Sequence, residues 1–333
     1  MNILIIKLGA IGDVIRTTSI LLGLKSKYKN CKIDWITKKE SIDVLKNNNL
    51  VNRIFTIDNK TKLNDKKYDL VISLDDGYEA CKLASKITSK KIAGAYLKNN
   101  KKTYTKNSFL WFDMGLLSRL GKKKADSLKA KNKKTYQEIM YKILGLNYRK
   151  QEPILKLTRK ELEFSKKFAK KYNIKKHYLV IGINTGAGGR WQDKKLSIER
   201  TAQLINKLNK KIKCKILLFG GPEEKTRNKK IKNLVKTNII DAGCNNSLME
   251  FASLVNLCHI LITSDSLALH IGAALKKKIV CFFGPTSFSE IELYNKGIKI
   301  IPKKGCLCCY KSKCDTPPNY NVNEIIEAVK KLI

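Results

Sequence analysis

A carboxylate, that of Asp13, follows a glycine-containing loop at the start of the first predicted helix. Residues 1–14 read MNILIIKLGAIGDV: a short apolar strand, a loop with Gly9 and Gly12, and then Asp13 where a helix begins. Such helix starts usually face a phosphate, because their first amide groups have no intrahelical partner. The run lacks the G-x-G-x-x-G fingerprint of a dinucleotide site. We therefore interpret the loop as one that presents an acid, with Asp13 as a candidate general base.

Three further loops, all in the second half of the chain, carry residues that suit a nucleoside diphosphate. The loop after residues 178–184 combines small residues, which let backbone amides approach an anion, with positive charge. The turn after residues 214–220 carries an acid that can accept from a ribose hydroxyl or a base amino group. The helix start after residues 260–263 offers amide groups to a phosphate, with a histidine one turn later. The candidate donor-binding residues are Thr185, Gly186, Arg190, Lys194, Gly221, Glu223, Asp265, Ser266 and His270.

Apolar runs alternate with amphipathic helical segments in two successive series, over residues 3–95 and 178–284. This alternation indicates βαβ units around parallel sheets, so the sequence predicts an α/β fold with two lobes of similar size. Ligands of such sheets bind at the carboxyl ends of strands, which is where the candidate residues stand. A purely structural role is the alternative for glycines and acids at these positions.

The composition is strongly basic. The chain has 333 residues, with 68 Lys and Arg against 28 Asp and Glu, and a formal net charge of +40. Such a charge ordinarily suggests nucleic acid or an anionic membrane. Lysine is scattered beside abundant Asn and Ile, and no nucleic-acid motif accompanies it, so no nucleic-acid partner is predicted. The stretch 98–134, where aromatic residues interrupt the lysines, is either a contact surface for an anionic partner or a solvated face.

No segment looks like a membrane anchor or a leader. A bilayer span needs about 20 apolar residues, and Lys7 and Asp13 interrupt the apolar N-terminus. Cytoplasmic localisation is therefore predicted.

Ten cysteines divide into two sets. Six are dispersed, several within or beside apolar runs, which is typical of core thiols in a reducing compartment. The other four, Cys306, Cys308, Cys309 and Cys314, cluster in GCLCCYKSKC. Four thiolates can close a structural zinc site. The spacing departs from the usual paired C-x₂-C, so free thiols or a redox-labile pair are the preferred interpretation.

Several motifs together resemble one known family. KLGAIGDV, NTGAGGRW, FGGPEE, the SDS helix start with His270, and FFGPT resemble, in this order and spacing, glycosyltransferase family 9, the ADP-heptose:lipopolysaccharide heptosyltransferases. The resemblance implies a GT-B fold, in which two Rossmann-like parallel-sheet lobes face each other across a cleft. It implies an acceptor-side lobe over 1–155 and a donor-binding lobe over 156–316. The C-terminal helix, over 317–333, is a candidate to pack back on the first lobe.

The same resemblance implies roles for matching residues. Asp13 matches the proposed general base, Lys194 the lysine that contacts the donor phosphates, and Glu223 the acid that holds the nucleoside. The segment 265–270 matches the one that faces the donor sugar and diphosphate. The expected acceptor-side residues are Lys7, Gly12 and Arg16.

Two positions depart from the family pattern. Leu267 stands where the family commonly has Gly, and Leu196 where it commonly has Trp, so the exact donor sugar stays open. The chain also lacks the D-x-D triplet that often accompanies metal-assisted glycosyl transfer. Asp75 and Asp76, adjacent after a strand, are interpreted as turn or acceptor-side residues. No metal or other cofactor is expected.

The predicted function is inverting, metal-independent transfer of a heptose or related sugar. The donor is a nucleotide-diphosphate sugar, ADP-linked by resemblance, and the acceptor is a lipid-linked lipopolysaccharide core or other cell-surface glycan. The basic surface suits the anionic inner membrane, where peripheral association is expected. A GT-B sugar-nucleotide epimerase or hydrolase is the alternative, and a nucleic-acid-binding protein is the remote one.

Overall fold

Two compact α/β units divide the chain. The computed structural model describes residues 1–63, 66–189 and 191–333, apart from the side chains of residues 61 and 62. The first unit contains Met1–Lys156 and Ser289–Glu292, and the second contains Leu157–Phe288 and Leu293–Ile333. The segment Ser289–Glu292 thus belongs to the first unit, although the sequence analysis placed it in the donor-binding lobe.

The first unit consists of one β-sheet and several α-helices. Its strands are β1 (Asn2–Ile6), β2 (Lys32–Thr37), β3 (Arg53–Thr56), β4 (Leu70–Ser73), β5 (Ile92–Lys98) and β6 (Lys101–Tyr104). Its α-helices are α1 (Ile11–Thr17), α2 (Ile20–Lys27), α3 (Ile42–Leu45), α4 (Tyr78–Lys86), α5 (Phe109–Phe112), α6 (Lys122–Lys131) and α7 (Tyr136–Ile143). The strand order is β3-β2-β1-β4-β5-β6, and only the β5–β6 pair of the described ladder is antiparallel.

The second unit repeats this plan. Its strands are β7 (Val180–Asn184), β8 (Lys215–Phe219), β9 (Ile240–Asp241), β10 (Ile260–Ser264), β11 (Lys278–Phe282) and β12 (Gly297–Ile300). Its α-helices are α8 (Arg159–Lys171), α9 (Ile198–Lys211), α10 (Lys225–Leu234), α11 (Leu248–Asn256), α12 (Leu267–Ala274) and α13 (Val322–Leu332). The order is β12-β11-β10-β7-β8-β9, with parallel neighbours.

The central strands are apolar because each face of each sheet is covered. Ile3 to Ile6 of β1 and Ile260 to Ile262 of β10 have no exposed surface. Strands buried on both faces read as continuous apolar runs instead of alternating ones, which is why sequence alone locates them. The predicted α/β alternation over both series is confirmed.

Each sheet has one switch point, where the strand order reverses. It lies between β1 and β4 in the first unit and between β7 and β10 in the second. The loops that leave two neighbouring strands there diverge to opposite faces and open a crevice, which is where open α/β sheets bind ligands. All the predicted catalytic and phosphate-contacting residues follow these four strands.

The C-terminal helix α13 packs in the core of the second unit. Ile325, Ile326 and Val329 are fully buried in a cluster that includes strand residues of β7, β10 and β11. The family resemblance made this helix a candidate to pack on the first lobe. Its amphipathic pattern fixes which face is buried, but it carries no information on which sheet covers that face. Within the described residues, every helix is too short or too polar to cross a membrane.

Candidate active site

In the first unit, Asp75 holds the loop that follows β1. Its carboxylate accepts hydrogen bonds from the backbone amides of Leu8 and Gly9, the latter at 3.1 Å, and pairs with the Lys7 ammonium at 2.5 Å. Lys7 is 5% exposed. Burial alone would lower the pKa of Lys7, but Asp75 and Tyr136 favour the charged form and raise it. Lys7, expected on the acceptor side, is therefore buried and helps Asp75 to hold the loop after β1.

Asp13 lies in the first turn of α1 and pairs with Arg16 one turn later. Arg16 Nη2 is 2.8 Å from Asp13 Oδ1, and the Asp13 side chain is 33% exposed against 11% for Arg16. The guanidinium lies over the Tyr136 ring, 3.9 Å from its centroid, and Glu290 lies 3.9 Å from Nη1. The Tyr136 hydroxyl is hydrogen-bonded to Thr17 Oγ1 at 2.7 Å. Arg16 is thus fixed by its own neighbours and orients the more exposed carboxylate.

This arrangement suits proton abstraction. A general base must reach the proton that it removes while staying oriented, and Asp13 combines partial exposure with the Arg16 pair. Gly12, expected on the acceptor side, is buried in α1 immediately before Asp13. Gly12 therefore contributes to the packing of the helix.

In the second unit, Lys194 and Asp265 meet beside the switch point. Lys194 ends a 3₁₀ turn, Gln192–Lys194, and its Nζ lies 2.9 Å from both Asp265 Oδ2 and the Asp265 carbonyl oxygen. Thr286 Oγ1 donates to the same carboxylate oxygen at 2.7 Å. The side chains of Lys194 and Asp265 are only 8% and 16% exposed. The ammonium has three N–H groups, so it can still donate to a phosphate while it holds Asp265.

The charged groups around Asp265 favour the ionised form of its carboxyl group. Burial alone would raise the pKa of Asp265, but Lys194, His270 and Thr286 lower it to about 2. Asp265 is therefore ionised at neutral pH. The charged form of His270 is among the groups that lower the pKa of Asp265, so His270 lies in the same region.

Ser266 precedes α12 without capping it through its side chain. Its hydroxyl lies 3.0 Å from Thr263 Oγ1 and accepts from Asn184 Nδ2 at 3.3 Å. Asn184 also donates to the Gly186 carbonyl at 2.8 Å. The Leu269 amide donates to the Ser266 carbonyl at 3.1 Å, but the Ser266 side chain takes no amide of α12. A phosphate is an acceptor that suits the amides at a helix start.

The Gly-rich loop after β7 shows two different roles. The Thr185 hydroxyl donates to Asn228 Oδ1 at 2.6 Å, and Thr185 is buried, so its side chain serves the packing of the loop. Gly186 is needed for space, because a Cβ there would lie 2.8 Å from Glu224 Oε2. Arg190, the predicted cation of this loop, lies outside the described residues.

The two acids after β8, Glu223 and Glu224, differ in burial and in what they contact. Glu224 is buried, accepts from the Gly221 amide at 3.1 Å and pairs with Lys195 at 2.8 Å. Glu223 is exposed, and its carboxylate lies beside Gly189, 3.7 Å from where a Cβ would stand. Glu224 therefore fixes the turn, while Glu223 faces the loop on which a nucleoside could rest.

Three supporting residues received no role from the sequence, and a fourth, Asp75, was interpreted only as a turn or acceptor-side residue. Asp75 follows β4 at the switch point, and that position alone could have marked it as the anchor of the opposite loop. Thr286 belongs to the FFGPT motif, but nothing in that motif indicates a bond to Asp265. Tyr136 and Glu290 come from distant segments and carry no local signal.

Comparisons with known proteins agree with this architecture. The model of glycosyltransferase family 9 (heptosyltransferase) matches residues 58–319. A lipooligosaccharide heptosyltransferase 2 of Campylobacter jejuni is 28% identical over 191 residues, which are 52% of this chain and 57% of that protein. The match thus spans little more than half the length of that relative.

Two solved structures share the fold. A glycosyl transferase family 9 protein from Veillonella parvula superposes with a TM-score of 0.76 at 19% identity, covering 99% of this chain and 96% of that one. The Escherichia coli ADP-heptose LPS heptosyltransferase II gives a TM-score of 0.68 at 16% identity, covering 100% and 98%. The two units therefore have the GT-B fold of these heptosyltransferases. Because the family model matches most of the chain, including the segments that carry Lys194 and Asp265, this chain belongs to glycosyltransferase family 9.

Proposed function

We propose that this protein transfers a heptose, or a closely related sugar, from an ADP-linked donor to a lipopolysaccharide-core or other cell-surface glycan. Family membership supports the reaction class, and the Campylobacter jejuni and Escherichia coli relatives named above are heptosyltransferases. The observation that carries the proposal is the Asp13–Arg16 pair, in which a partly exposed carboxylate is held in one orientation.

The donor is assigned to the second unit. Loss of the nucleoside diphosphate develops negative charge, which preorganised cations and helix amides stabilise best. Lys194 supplies the cation, the start of α12 supplies amides, and His270 lies nearby on the same helix. Glu223 is assigned to the nucleoside, since an exposed carboxylate can accept from ribose hydroxyls.

The acceptor hydroxyl is assigned to Asp13 of the first unit. The hydroxyl must lose a proton as its oxygen attacks the anomeric carbon, and a positioned carboxylate accelerates such a step by about 10²–10⁴-fold. Attack from the face opposite the departing diphosphate forms the new C–O bond as the old one breaks. The anomeric centre is therefore inverted.

In this proposal the diphosphate needs no divalent ion, because Lys194 and α12 supply the stabilising charge. Adding Mg²⁺ or Mn²⁺ to the purified protein should leave the transfer rate unchanged. A rate that rises severalfold with either ion would overturn this part.

The central test separates donor binding from transfer. Asp13→Asn should abolish transfer to a lipopolysaccharide-core acceptor, while ADP binding measured by calorimetry is retained. Asp43→Asn, an exposed carboxylate on α3 of the same unit, is the matched control and should keep full activity. Wild-type transfer in Asp13→Asn would refute the general base. Donor consumption at full rate without an acceptor would instead favour the epimerase or hydrolase alternative.

The acceptor is proposed to be lipid-linked and met at the cytoplasmic face of the inner membrane. In the first unit, Phe109, Leu116 and Leu120 are 50%, 92% and 52% exposed, and the exposed residues Lys122 to Lys124 follow. We call these residues the Leu116 surface. Exposed apolar side chains beside lysines suit an anionic membrane, where each nearby lysine contributes about 1 kcal/mol of attraction.

A further inference from the structure

Three of the four clustered cysteines converge on one point in the second unit. The Sγ atoms of Cys306, Cys309 and Cys314 all lie within 4.8 Å of one another, and those of Cys309 and Cys314 are 3.6 Å apart. All three are free thiols, and Cys314 is 4% exposed. Cys308 is not in the group, because its Sγ points to the Thr286 carbonyl oxygen at 3.7 Å. Of the four cysteines considered for the alternative zinc site, the structure thus brings three together.

The backbone of this segment is bent so that the thiols meet. Gly305, Cys308 and Tyr310 have φ values of +94°, +56° and +53°, a region that residues other than glycine adopt uncommonly. The Cys306 amide donates to the Thr316 carbonyl at 2.7 Å and closes the loop at its base. This bent and closed backbone brings the three thiols together.

The sulfur separations fit a metal ion better than a disulfide. A tetrahedral ion with metal–sulfur bonds of about 2.3 Å sets its sulfurs about 3.8 Å apart. The Cys309–Cys314 separation of 3.6 Å already meets this value, and the other separations need a contraction of about 1 Å at most. A disulfide needs its sulfurs at about 2.05 Å. Thiolates select soft ions such as Zn²⁺.

The same loop braces both segments of the donor site. The Cys314 amide donates to Asp193 Oδ2 at 2.6 Å, and Asp193 directly precedes Lys194. The amides of Cys308 and Tyr310 donate to the carbonyls of Gly284 and Pro285 at 2.9 and 2.8 Å. Pro285 directly precedes Thr286, whose hydroxyl holds Asp265. Holding the thiols in place would therefore also hold the segments that carry Lys194 and Thr286, both of which contact Asp265.

We propose that Cys306, Cys309 and Cys314 form a three-thiolate site for one soft divalent metal ion, which rigidifies the donor pocket without touching the reacting atoms. Binding converts the thiols to thiolates and releases their protons to solvent, with the fourth coordination position open to water. The metal site stands on its own geometry, whereas its effect on ADP binding rests on the proposed function.

The test is zinc binding by the full chain under reducing conditions. Wild-type protein, stripped of metal, should take up one equivalent of Zn²⁺ in competition with a chromogenic chelator, with proton release. Co²⁺ in place of Zn²⁺ should give a thiolate charge-transfer band. Cys309→Ser and Cys306→Ser should each weaken Zn²⁺ binding by about 100-fold. Cys308→Ser, next in the chain but outside the cluster, should bind as the wild type does.

Each contrary result is decisive. Absent zinc binding by the folded wild type, or equal loss in Cys308→Ser, overturns the site. So does a Cys309–Cys314 disulfide in protein isolated from cells, seen as a mass lower by two hydrogens. Circular dichroism checks that each variant is folded, and Cys306→Ser still tests the site should Cys309→Ser fail to fold.

The link to the donor site has its own readout. Zinc loading should tighten ADP binding by about tenfold in the wild type and leave it unchanged in Cys309→Ser. ADP affinity that ignores zinc in the wild type overturns the bracing role while the metal site stands. Zinc uptake with no ADP binding at all would instead contradict the proposed function.

Discussion

Lys194 and Asp265 form an ion pair beside the switch point of the second sheet, with Nζ 2.9 Å from Oδ2. The lysine comes from the loop after β7 and the aspartate from the end of β10. Because these strands are neighbours whose following connections diverge, the pair stands at the mouth of the crevice between them. The cation of the proposed phosphate site is therefore held in place before a ligand arrives.

Lys194→Met should abolish detectable ADP binding and also destabilise the second unit. Removal of the ammonium leaves the Asp265 carboxylate with little solvent, and breaking a buried pair in this way costs about 3–5 kcal/mol. Because the Asp265 side chain is partly exposed, we expect the loss of unfolding free energy to lie at the lower end of this range. Urea unfolding and calorimetry measure the two effects on the same protein.

The double variant Lys194→Met with Asp265→Asn serves as the control. It removes both charges, so most of the stability should return, while ADP binding should stay lost. If ADP binding returned with stability, Lys194 would be structural and the phosphate contact would belong elsewhere.

Acid should weaken the wild-type protein more than Asp265→Asn. Folding lowers the pKa of Asp265 from 3.8 to about 2. The resulting stability, about 2 kcal/mol, is fully present above pH about 4 and lost as the pH falls toward 2. All other carboxylates are shared by the two proteins and affect both urea midpoints equally. The difference between the proteins in how far the midpoint falls from neutral pH to near pH 2 therefore reports Asp265. Equal acid sensitivity in the two proteins would contradict the pairing.

The sequence could predict where the proposed catalytic and phosphate-contacting residues lie in the fold, because they follow uninterrupted apolar strands. Asp13 after β1, Lys194 after β7 and Asp265 after β10 all follow from that rule. Tyr136 and Glu290 could not be predicted, because they reach Arg16 from segments more than a hundred residues away. Contacts of such sequence separation leave no periodicity to detect.

Residue type alone does not show which charged side chains are buried. Lys7, expected among the acceptor-side residues, is buried because Asp75 supplies a partner for its charge. Glu223 and Glu224 are identical in type, and only the local turn decides that one is exposed and the other buried.

Arg16 should behave as a positioning residue. Arg16→Met should lower kcat by about 10–100-fold with little change in ADP affinity, since Asp13 loses its orienting partner. Arg16→Lys should recover only part of the rate, because an ammonium cannot reproduce the planar contact with Tyr136. Lys29→Met, an exposed cation of the same unit, should be neutral. A matching loss of ADP affinity in Arg16→Met would contradict this role.

The acids of the FGGPEE turn should separate binding from stability. Glu223→Gln should weaken ADP binding by about tenfold, a loss of roughly 1.4 kcal/mol, without changing the urea midpoint. Glu224→Gln should lower the midpoint, because it disrupts the buried pair with Lys195 and a hydrogen bond to Gly221. Stability loss in the first variant, or none in the second, would reverse the assignments.

The Leu116 surface should govern attachment to anionic membranes. Replacing Leu116 and Leu120 with Ser removes the two most exposed apolar side chains of that surface, so co-sedimentation with vesicles of phosphatidylcholine and phosphatidylglycerol should fall severalfold. Leu234→Ser, an exposed leucine of the second unit, should bind as the wild type does. Binding to the mixed vesicles should also weaken with added salt and be poor on phosphatidylcholine alone, because the lysines act through screened charge. Equal binding to both vesicle types, or no effect of the leucine pair, would assign membrane contact to a different face.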